Sequence, residues 1–240
     1  MSTYLISDIH GCYEEYCELL EAIDLTEEDD LYILGDVCDR GPNPMKVLLD
    51  MMDRVNATLL LGNHDFCAYH LLRRLAVEVT EENWASHLTT QDLMDYRLWL
   101  QDGGDTTVKQ FSTLSREKQV DVLDYLSESS LYEELEVNGK RYVLTHAGIA
   151  GYEEGKPLEE YELYDFIDGR IDYSKPCFAD ADTYLVTGHT PTAFIRPDEK
   201  PLVYEGNNHI AIDCGCVFGG KLAAYCLETG EITYVNAKRN

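Results

Sequence analysis

Short runs of β-forming residues alternate with amphipathic segments over the first quarter of the chain. The runs at 4–6, 31–34 and 58–61 are rich in Leu, Ile and Tyr and predict three strands. Between them, 12–23 and about 44–54 carry apolar residues at helical spacing and predict two helices. This alternation is typical of a parallel sheet covered by helices.

The pattern changes twice in the rest of the chain. From about 66 to 130 it predicts a helical insertion, in which Ser115 is a good N-cap. The stretch 151–182 is acidic, aromatic and irregular, and we expect it to form a lid or a substrate loop. Asn138-Gly139 is the turn that a tight hairpin prefers. Strands are predicted at 131–137, 140–145, 184–187, 201–204, 209–213, 221–227 and 231–235.

The order of sheet, helices and further sheet predicts an α/β fold. We expect two mixed β-sheets packed face to face as a sandwich, with helices on the outside. Because no linker interrupts the pattern, residues 1–240 are expected to form a single domain, which is large enough to bury a full core.

The chain is strongly acidic, with a formal net charge of −26. A field of this sign repels nucleic-acid backbones and anionic membranes, so we expect neither as a partner. The eight cysteines lack the spacing of a disulfide framework, and we see neither a signal peptide nor an apolar run of about 18 residues. We therefore expect a cytoplasmic protein with reduced thiols. A phosphate-bearing substrate would need a local positive site, which divalent cations could supply.

Clusters of Asp, Asn and His follow most of the predicted strands. Ligands at the ends of successive strands converge on one sheet edge, and carboxylate, amide and imidazole groups are metal ligands. Asp8 and His10 are two apart, so in an extended chain they would point to the same side. The clusters are Asp8-Ile9-His10, Gly35-Asp36-Val37-Cys38-Asp39-Arg40-Gly41, Gly62-Asn63-His64-Asp65, His146-Ala147-Gly148, Gly188-His189-Thr190 and Asp213-Cys214-Gly215.

Other histidines lack such neighbours. His70 and His87 lie in predicted helical stretches and His209 follows a predicted turn, so we interpret all three as structural. Asp213 ends a strand at the same edge, and we expect it to support a ligand rather than to be one.

The motifs D-x-H, G-D-x-x-D-R-G, G-N-H-[DE], H-A-G and G-H-T occur in this order. The chain thereby resembles the phosphoprotein phosphatase family of calcineurin-like binuclear metallophosphoesterases over residues 3 to about 72 and 131 to about 227. The resemblance implies a calcineurin-like metallophosphoesterase fold and a pair of divalent metal ions. Five ordered motifs in strand context make this a specific signal.

The resemblance also implies roles for individual residues. Asp36 would bridge the two metals. His64 would be the general acid, oriented by Asp65, and Arg40 would bind phosphate oxygens. Asp39 would orient Arg40 or His64. The metal ligands would be Asp8, His10 and Asp36 for one ion, and Asp36, Asn63, His146 and His189 for the other, with Asn63 also close to the substrate.

The family's second phosphate-binding arginine lies between the H-A-G and G-H-T motifs. Arg170 is the only arginine in that interval and is our candidate, with Arg196 in reserve. Mixed Asp, Asn and His ligands suit Mn²⁺, Fe or Zn²⁺ better than Mg²⁺ or Ca²⁺, and Mn²⁺ is our first expectation.

Three functions stay open. The intact Asp39-Arg40-Gly41 favours a phosphoprotein phosphatase acting on phosphoserine and phosphothreonine, with phosphotyrosine as a further substrate. The alternative is a symmetrical dinucleoside tetraphosphatase, which hydrolyses a phosphoanhydride. A non-catalytic metal-binding regulatory protein is the remote third, since it would need a broken ligand set. The loop Asp213–Phe218 differs from that of phosphatases typical of higher organisms and places the chain with compact bacterial-type members.

Overall fold

A computed structural model of the protein describes residues 1–77, 80 and 88–238. His87 and the corresponding part of the predicted helical insertion lie outside the described residues. No helix within the described ranges is both long enough and apolar enough to cross a membrane.

Ten strands form two five-stranded sheets in the part of the chain that the structure describes. The first sheet has the order β10-β9-β1-β2-β3, and the second has the order β4-β5-β6-β8-β7. The strands are β1 (Thr3–Ile6), β2 (Asp30–Ile33), β3 (Ala57–Leu59), β4 (Tyr132–Val137), β5 (Lys140–Thr145), β6 (Thr183–Thr187), β7 (Tyr204–Gly206), β8 (His209–Ala211), β9 (Lys221–Cys226) and β10 (Ile232–Asn236).

Both sheets are mixed, as the sequence predicts. In the first, β1, β2 and β3 are parallel, while β9 and β10 complete the sheet in antiparallel pairs. In the second, β5, β6 and β8 are parallel and β4 and β7 pair antiparallel at the edges. The carboxyl ends of the parallel strands therefore lie at one edge of each sheet, where ligands of α/β proteins collect.

The sheets pack face to face through apolar side chains. Leu5 and Leu34 of the first sheet share one buried cluster with Leu144 and Val186 of the second. Helices cover the outer faces because their apolar sides need burial. They are α1 (Tyr13–Ala22), α2 (Pro44–Met52), α3 (Asn63–Leu75), α4 (Thr90–Trp99), α5 (Asp105–Phe111), α6 (Arg116–Ser127) and α7 (Leu163–Ile167). The predicted sandwich with outer helices is confirmed.

Local signals placed several boundaries well. Ser115 caps α6 by accepting a hydrogen bond from the Lys118 amide, and Asn138-Gly139 joins β4 to β5. The strand predicted at 201–204 instead begins at Tyr204, because the amides of Leu202 and Val203 donate to the Lys200 carbonyl and the Tyr234 hydroxyl rather than to a neighbouring strand.

The segment 151–182 is more firmly packed than a lid would be. Leu158, Tyr161, Phe166 and Ile167 are buried against Val143 of the second sheet. Arg170 of this segment donates to the hydroxyl of Thr190, which follows β6, so the segment borders the carboxyl edge of the strands.

Candidate metal centre

Loops that follow five parallel strands bring the predicted ligands together. Asp8 and His10 follow β1, Asp36 follows β2, Asn63 follows β3, His146 follows β5 and His189 follows β6. The rings of His146 and His189 lie 5.0 Å apart, centre to centre. All of these residues except Asn63 and His189 are less than 5% exposed. Residues separated by up to 181 positions thus share one small site.

The backbone at this site is unusual. The structure describes eleven non-glycine residues with positive φ, and six of them are at the site: Asp8, His10, Asp36, Asp39, Arg40 and His189. Left-handed conformations cost such residues about 1–3 kcal/mol each and persist where the surroundings impose them, often at functional sites.

This backbone corrects one expectation. Strand β1 ends at Ile6, and Asp8 and His10 have φ values of 51° and 44°, so strand alternation does not set their direction. Their amides donate to the carbonyls of Gly35 and Asp36, at 3.1 and 2.8 Å. The two loops therefore hold each other in place.

The carboxylate of Asp36 lies between two imidazoles. One of its oxygens is 3.5 Å from Nε2 of His10 and the other is 3.5 Å from Nε2 of His146. Each ring points its other nitrogen, Nδ1, at a backbone carbonyl, that of Cys38 (2.7 Å) or Leu34 (2.6 Å). Because a carbonyl only accepts, Nδ1 must carry the proton, which leaves both Nε2 atoms unprotonated near Asp36; that of His10 accepts from the Arg40 guanidinium at 2.8 Å.

Asn63 lies beside two of the histidines, His146 and His189. Its Oδ1 is 3.1 Å from Nε2 of His146 and 3.0 Å from Nδ1 of His189. The Nε2 of His189 is buried and has no hydrogen-bond partner among the described residues. Because Nδ1 of His146 carries the proton, its Nε2 and Oδ1 of Asn63 present lone pairs to each other, and a cation between them would remove that repulsion.

These donors fit a pair of divalent cations. Asp36 points one oxygen towards His10 and the other towards His146, so its carboxylate could serve both ions, and Asn63 and His189 lie on the His146 side. Carboxylate, amide and imidazole donors together suit Mn²⁺, Fe or Zn²⁺. Cations bound here would supply Lewis-acid activation of water and of phosphoryl oxygens.

The titration properties of the histidines agree with a ligand role. Burial lowers the pKa of His146 to about 4 and that of His189 to about 3, and it also lowers the pKa of His10. All three rings are therefore neutral at pH 7, which is the form that binds metals.

The carboxyl groups are shifted in the opposite sense. Burial raises the pKa of Asp36 to about 7. Burial and the neighbouring Asp36 charge raise the pKa of Asp8, and burial and the Asp8 charge raise that of Asp213. The carboxylate of Asp213 accepts from the amide of Gly215 at 2.8 Å and is close enough to Asp8 for the two charges to interact. A cation would favour the ionised form of all three.

His64 differs from the other histidines of the site. Burial acts to lower its pKa, but a hydrogen bond to Asp39 and the charge of Asp36 outweigh burial, so the pKa is raised. Its Nδ1 donates to Oδ2 of Asp39 over 2.8 Å. An atom of His64 also lies within 4.8 Å of atoms of His10 and Asp36, so distance alone would allow it to be a ligand. The raised pKa instead favours a ring that carries a proton.

The partner of His64 corrects a second expectation. Asp65 does not contact the His64 ring; its carboxylate accepts from the amides of Asp36, Val37 and Cys38 at 2.7–3.0 Å. Adjacent residues on a helix point in different directions, so Asp65 faces the turn after β2 while His64 faces the site. Asp65 thus shapes the Asp36 loop, and Asp39 orients His64.

Asp39 is fully buried and is held by the helical insertion. Its Oδ2 also accepts from Nε1 of Trp99 (2.7 Å), and its Oδ1 accepts from the hydroxyl of Thr107 (2.6 Å). The local sequence predicts neither partner, because nothing in it shows which helix packs on the turn at Asp39.

Arg40 extends from the same turn into the cleft. Its guanidinium donates to Nε2 of His10 (2.8 Å) and to Asp102 (3.2 Å), and it lies over the ring of Phe218, 5.3 Å from the centroid. Its amide donates to the carbonyl of Gly103. Gly103 has a φ of 100°, and a Cβ there would lie 2.8 Å from the Arg40 amide nitrogen, so only glycine fits this contact.

The two arginine candidates are separated by their positions. Arg170 donates to the hydroxyl of Thr190, next to His189, at 2.7 Å. Arg196 is paired with Asp198 and donates to the carbonyl of Val203. Of the two, Arg170 is the one placed beside the metal-ligand cluster.

Comparison with known proteins identifies the family of the chain. The model of the calcineurin-like phosphoesterase family matches residues 1–193. The chain is 29% identical over 265 aligned positions to the asymmetrical bis(5'-nucleosyl)-tetraphosphatase PrpE of Oceanobacillus iheyensis, which covers 100% of this chain and 94% of that protein. It is 39% identical over 104 positions to the symmetrical bis(5'-nucleosyl)-tetraphosphatase of Buchnera aphidicola, covering 42% of this chain and 37% of that protein.

A solved structure extends the likeness to the fold. The crystal structure of a candidate diadenosine tetraphosphatase superposes with a TM-score of 0.67 at 20% identity, and the match covers 100% of this chain and 95% of that one. Because the family model spans residues 1–193 of the 240-residue chain, the chain belongs to the calcineurin-like phosphoesterase family.

Proposed function

We propose that the protein is a metal-dependent phosphoanhydride hydrolase acting on dinucleoside tetraphosphates. The observation that supports this most is the match to PrpE, which runs the whole length of this chain and 94% of the relative. The intact Asp39-Arg40-Gly41 led us to expect a phosphoprotein phosphatase first. The full-length relatives favour the alternative class, a dinucleoside tetraphosphatase, but PrpE is named an asymmetrical enzyme, whereas our alternative was a symmetrical one.

In this proposal the buried donors hold two Mn²⁺ ions and the remaining residues act on the substrate. Asp36 would contribute a ligand to both ions. Arg40 and Arg170 bind phosphate oxygens from either side, since a planar guanidinium matches phosphate geometry. The ligands are Asp8, His10 and Asp36 for one ion, and Asp36, Asn63, His146 and His189 for the other.

His64 acts as the proton donor to the leaving oxygen, with Asp39 as its positioning residue. The hydrogen bond to Asp39 and the charge of Asp36 raise the pKa of His64, which favours the protonated ring that a proton donor needs. A general acid of this kind contributes roughly 10²–10⁴ in rate when the leaving group is a poor one. A phosphoanhydride releases a phosphate oxygen, which is far less basic than a serine alkoxide, so His64 should matter less for the dinucleotide than for a phosphopeptide.

A phosphoserine and phosphothreonine phosphatase is the second candidate. It is favoured by the hydrogen bond from His64 to Asp39, which presents a protonated acid suited to an alkoxide leaving group.

A panel of substrates with Mn²⁺-loaded protein tests the proposal. Diadenosine tetraphosphate is compared with phosphoserine, phosphothreonine and phosphotyrosine peptides at equal concentrations. We expect the dinucleotide to have the highest kcat/KM, and Asp36→Asn to abolish that activity. Selective cleavage of the peptides would reject the dinucleotide proposal in favour of the second candidate. Equal rates for the wild type and Asp36→Asn on every substrate would reject the bridging role of Asp36.

The variant His64→Asn provides a further comparison. We expect it to lose much more rate on a phosphoserine peptide than on the dinucleotide. Equal losses on the two substrates would contradict proton donation by His64.

A further inference from the structure

Two thiols and a carboxyl group meet in the core, outside the metal-ligand cluster around Asp36. One donor atom from each of Cys12, Glu15 and Cys216 lies within 4.8 Å of the other two. The three side chains are 6%, 7% and 2% exposed, respectively. Burial of an ionisable carboxyl group is costly unless a partner compensates it. The proposed hydrolysis uses none of these three residues, so their juxtaposition needs a separate explanation.

Helix α1 and the loop after β8 bring the three donors together. Cys12 is the N-cap residue of α1 and Glu15 is three positions later, so both lie on one side of its first turn. Cys216 begins a 3₁₀ turn in the loop after β8, and this loop is closed by the Gly220 amide, which donates to the Gly215 carbonyl at 2.9 Å. Backbone hydrogen bonds therefore hold the donors in place.

The carboxylate of Glu15 pairs with no cationic side chain among the described residues. Its Oε1 accepts from the backbone amide of Lys238 over 2.8 Å, whereas the ammonium of Lys238 pairs with Glu14 and Glu18 at 3.5 and 3.2 Å. A backbone amide satisfies part of the carboxylate but brings no full positive charge to it. Two thiols and a carboxylate thus face one another without a counter-charge, and a cation among them would supply it.

The spacing of the donors is close to that of a tetrahedral zinc site. Thiolates bind Zn²⁺ at about 2.3 Å and carboxylates at about 2.0–2.2 Å, which places neighbouring donors roughly 3.6–3.8 Å apart. Donors at the largest separation, 4.8 Å, would each need to move by only roughly half an ångström to reach this geometry. A cavity of about 500 Å³ opens beside them, lined also by Asn43, Gly219 and Lys238, so an ion and a water as fourth ligand can enter.

We propose that Cys12, Glu15 and Cys216 bind a Zn²⁺ ion that is separate from the ions of the metal-ligand cluster around Asp36. Thiolates select soft or borderline cations such as Zn²⁺, whereas the Asp, Asn and His donors around Asp36 also suit Mn²⁺. Binding replaces the two thiol protons, which are released to solvent, and no oxidation state changes.

The ion would hold together two loops that flank the metal-ligand cluster. Cys12 is two positions after His10, and Cys216 is two positions before Phe218, whose ring lies against the Arg40 guanidinium. A structural zinc ion stabilises the fold because its ligands are brought together only in the folded chain. This site therefore has a structural role and takes no part in the hydrolysis itself.

Co²⁺ distinguishes this site from the cluster around Asp36, because thiolate ligands give Co²⁺ an intense charge-transfer absorption that oxygen and imidazole ligands do not give. Reduced, metal-free protein is titrated with Co²⁺. We expect the charge-transfer band in the wild type, its loss on addition of Zn²⁺, and its absence from Cys12→Ser and Cys216→Ser. Cys214→Ser is the matched control and should keep the band, since Cys214 is also 2% exposed but is not one of the three donors.

The variant Glu15→Gln tests the carboxylate separately from the thiols. It keeps both thiolates, so the band should remain. The Co²⁺ concentration at half-saturation should rise by at least roughly tenfold, since even a group that only supports a ligand contributes 10- to 100-fold to metal affinity. An unchanged half-saturation concentration would reject Glu15 as a ligand.

The remaining outcomes bear on this site and leave the proposed function untouched. A wild type without the band at saturating Co²⁺ would reject the inference, and so would a band that survives both cysteine-to-serine variants or that Cys214→Ser removes. A disulfide between Cys12 and Cys216 in the isolated protein, detected as a mass lower by two hydrogens, would also reject it. Asp36→Asn should keep the band, and its loss there would reject a separate site.

Discussion

Replacement of Asp36 by Asn should stabilise the metal-free protein above neutral pH and should reduce the stability that the protein gains from bound metal. The Asp36 side chain is 3% exposed, and its carboxylate faces the neutral rings of His10 and His146, which supply no positive charge. The amide of His64 donates to its Oδ1 over 3.0 Å, a bond that an asparagine oxygen can also accept. The substitution therefore removes the charge and keeps the shape.

The size of the effect follows from the pKa of this group. Burial raises the pKa of Asp36 from 3.8 to about 7. A carboxyl pKa that is higher in the folded state does not reduce the free energy of unfolding at a pH below the unfolded-state pKa. Above that pH the reduction grows until the folded-state pKa is passed. Ionisation of Asp36 at pH 8 should therefore cost on the order of 4 kcal/mol without metal, at about 1.36 kcal/mol for each pKa unit, and less than half of that at pH 5.

Urea unfolding of chelator-treated protein at pH 5 and pH 8 measures this difference. We expect the stability of Asp36→Asn relative to the wild type to increase between the two pH values. With Mn²⁺ present at about a hundred times its dissociation constant, the wild type should gain roughly 2.7 kcal/mol and the variant less. A stability difference that is the same at both pH values, or that falls at pH 8, would refute the raised pKa of Asp36.

Two further predictions concern the turn that carries Asp39 and Arg40. Asp39→Asn should lower the pKa of His64, because the hydrogen bond to Asp39 raises it. The alkaline limb of the kcat–pH profile should then move to lower pH, with at least a roughly tenfold loss of kcat at pH 8. An alkaline limb at the same pH in the variant and the wild type would contradict this. Gly103→Ala should cost about 1–3 kcal/mol of backbone strain and, by pushing on the Arg40 backbone, should also lower kcat/KM. Gly219→Ala is the control in thermal unfolding and kinetics, since its φ is 88° but a Cβ meets nothing within 4 Å; equal losses of activity in both variants would contradict the contact.

Much of the architecture could be predicted from local sequence. Hydrophobic periodicity located most strands and helices, because burial of one face is decided by side chains two or three to four residues apart. Asn138-Gly139 specified a hairpin, and Ser115 a helix start, through bonds within a few residues. The strand-end positions of the Asp, Asn and His clusters indicated a shared edge, since parallel strands end together.

The sequence by itself thus determined the elements, the acidic charge and the chemical types that meet at the site. Only the tertiary structure decided which group touches which. Asp65 is adjacent to His64 in sequence, yet the ring reaches Asp39, twenty-five positions away, and Asp39 in turn is held by Trp99, sixty positions away. Hydrogen bonds depend on a few tenths of an ångström and on direction. That precision arises from the packing of the helical insertion on the loops and is absent from any local pattern.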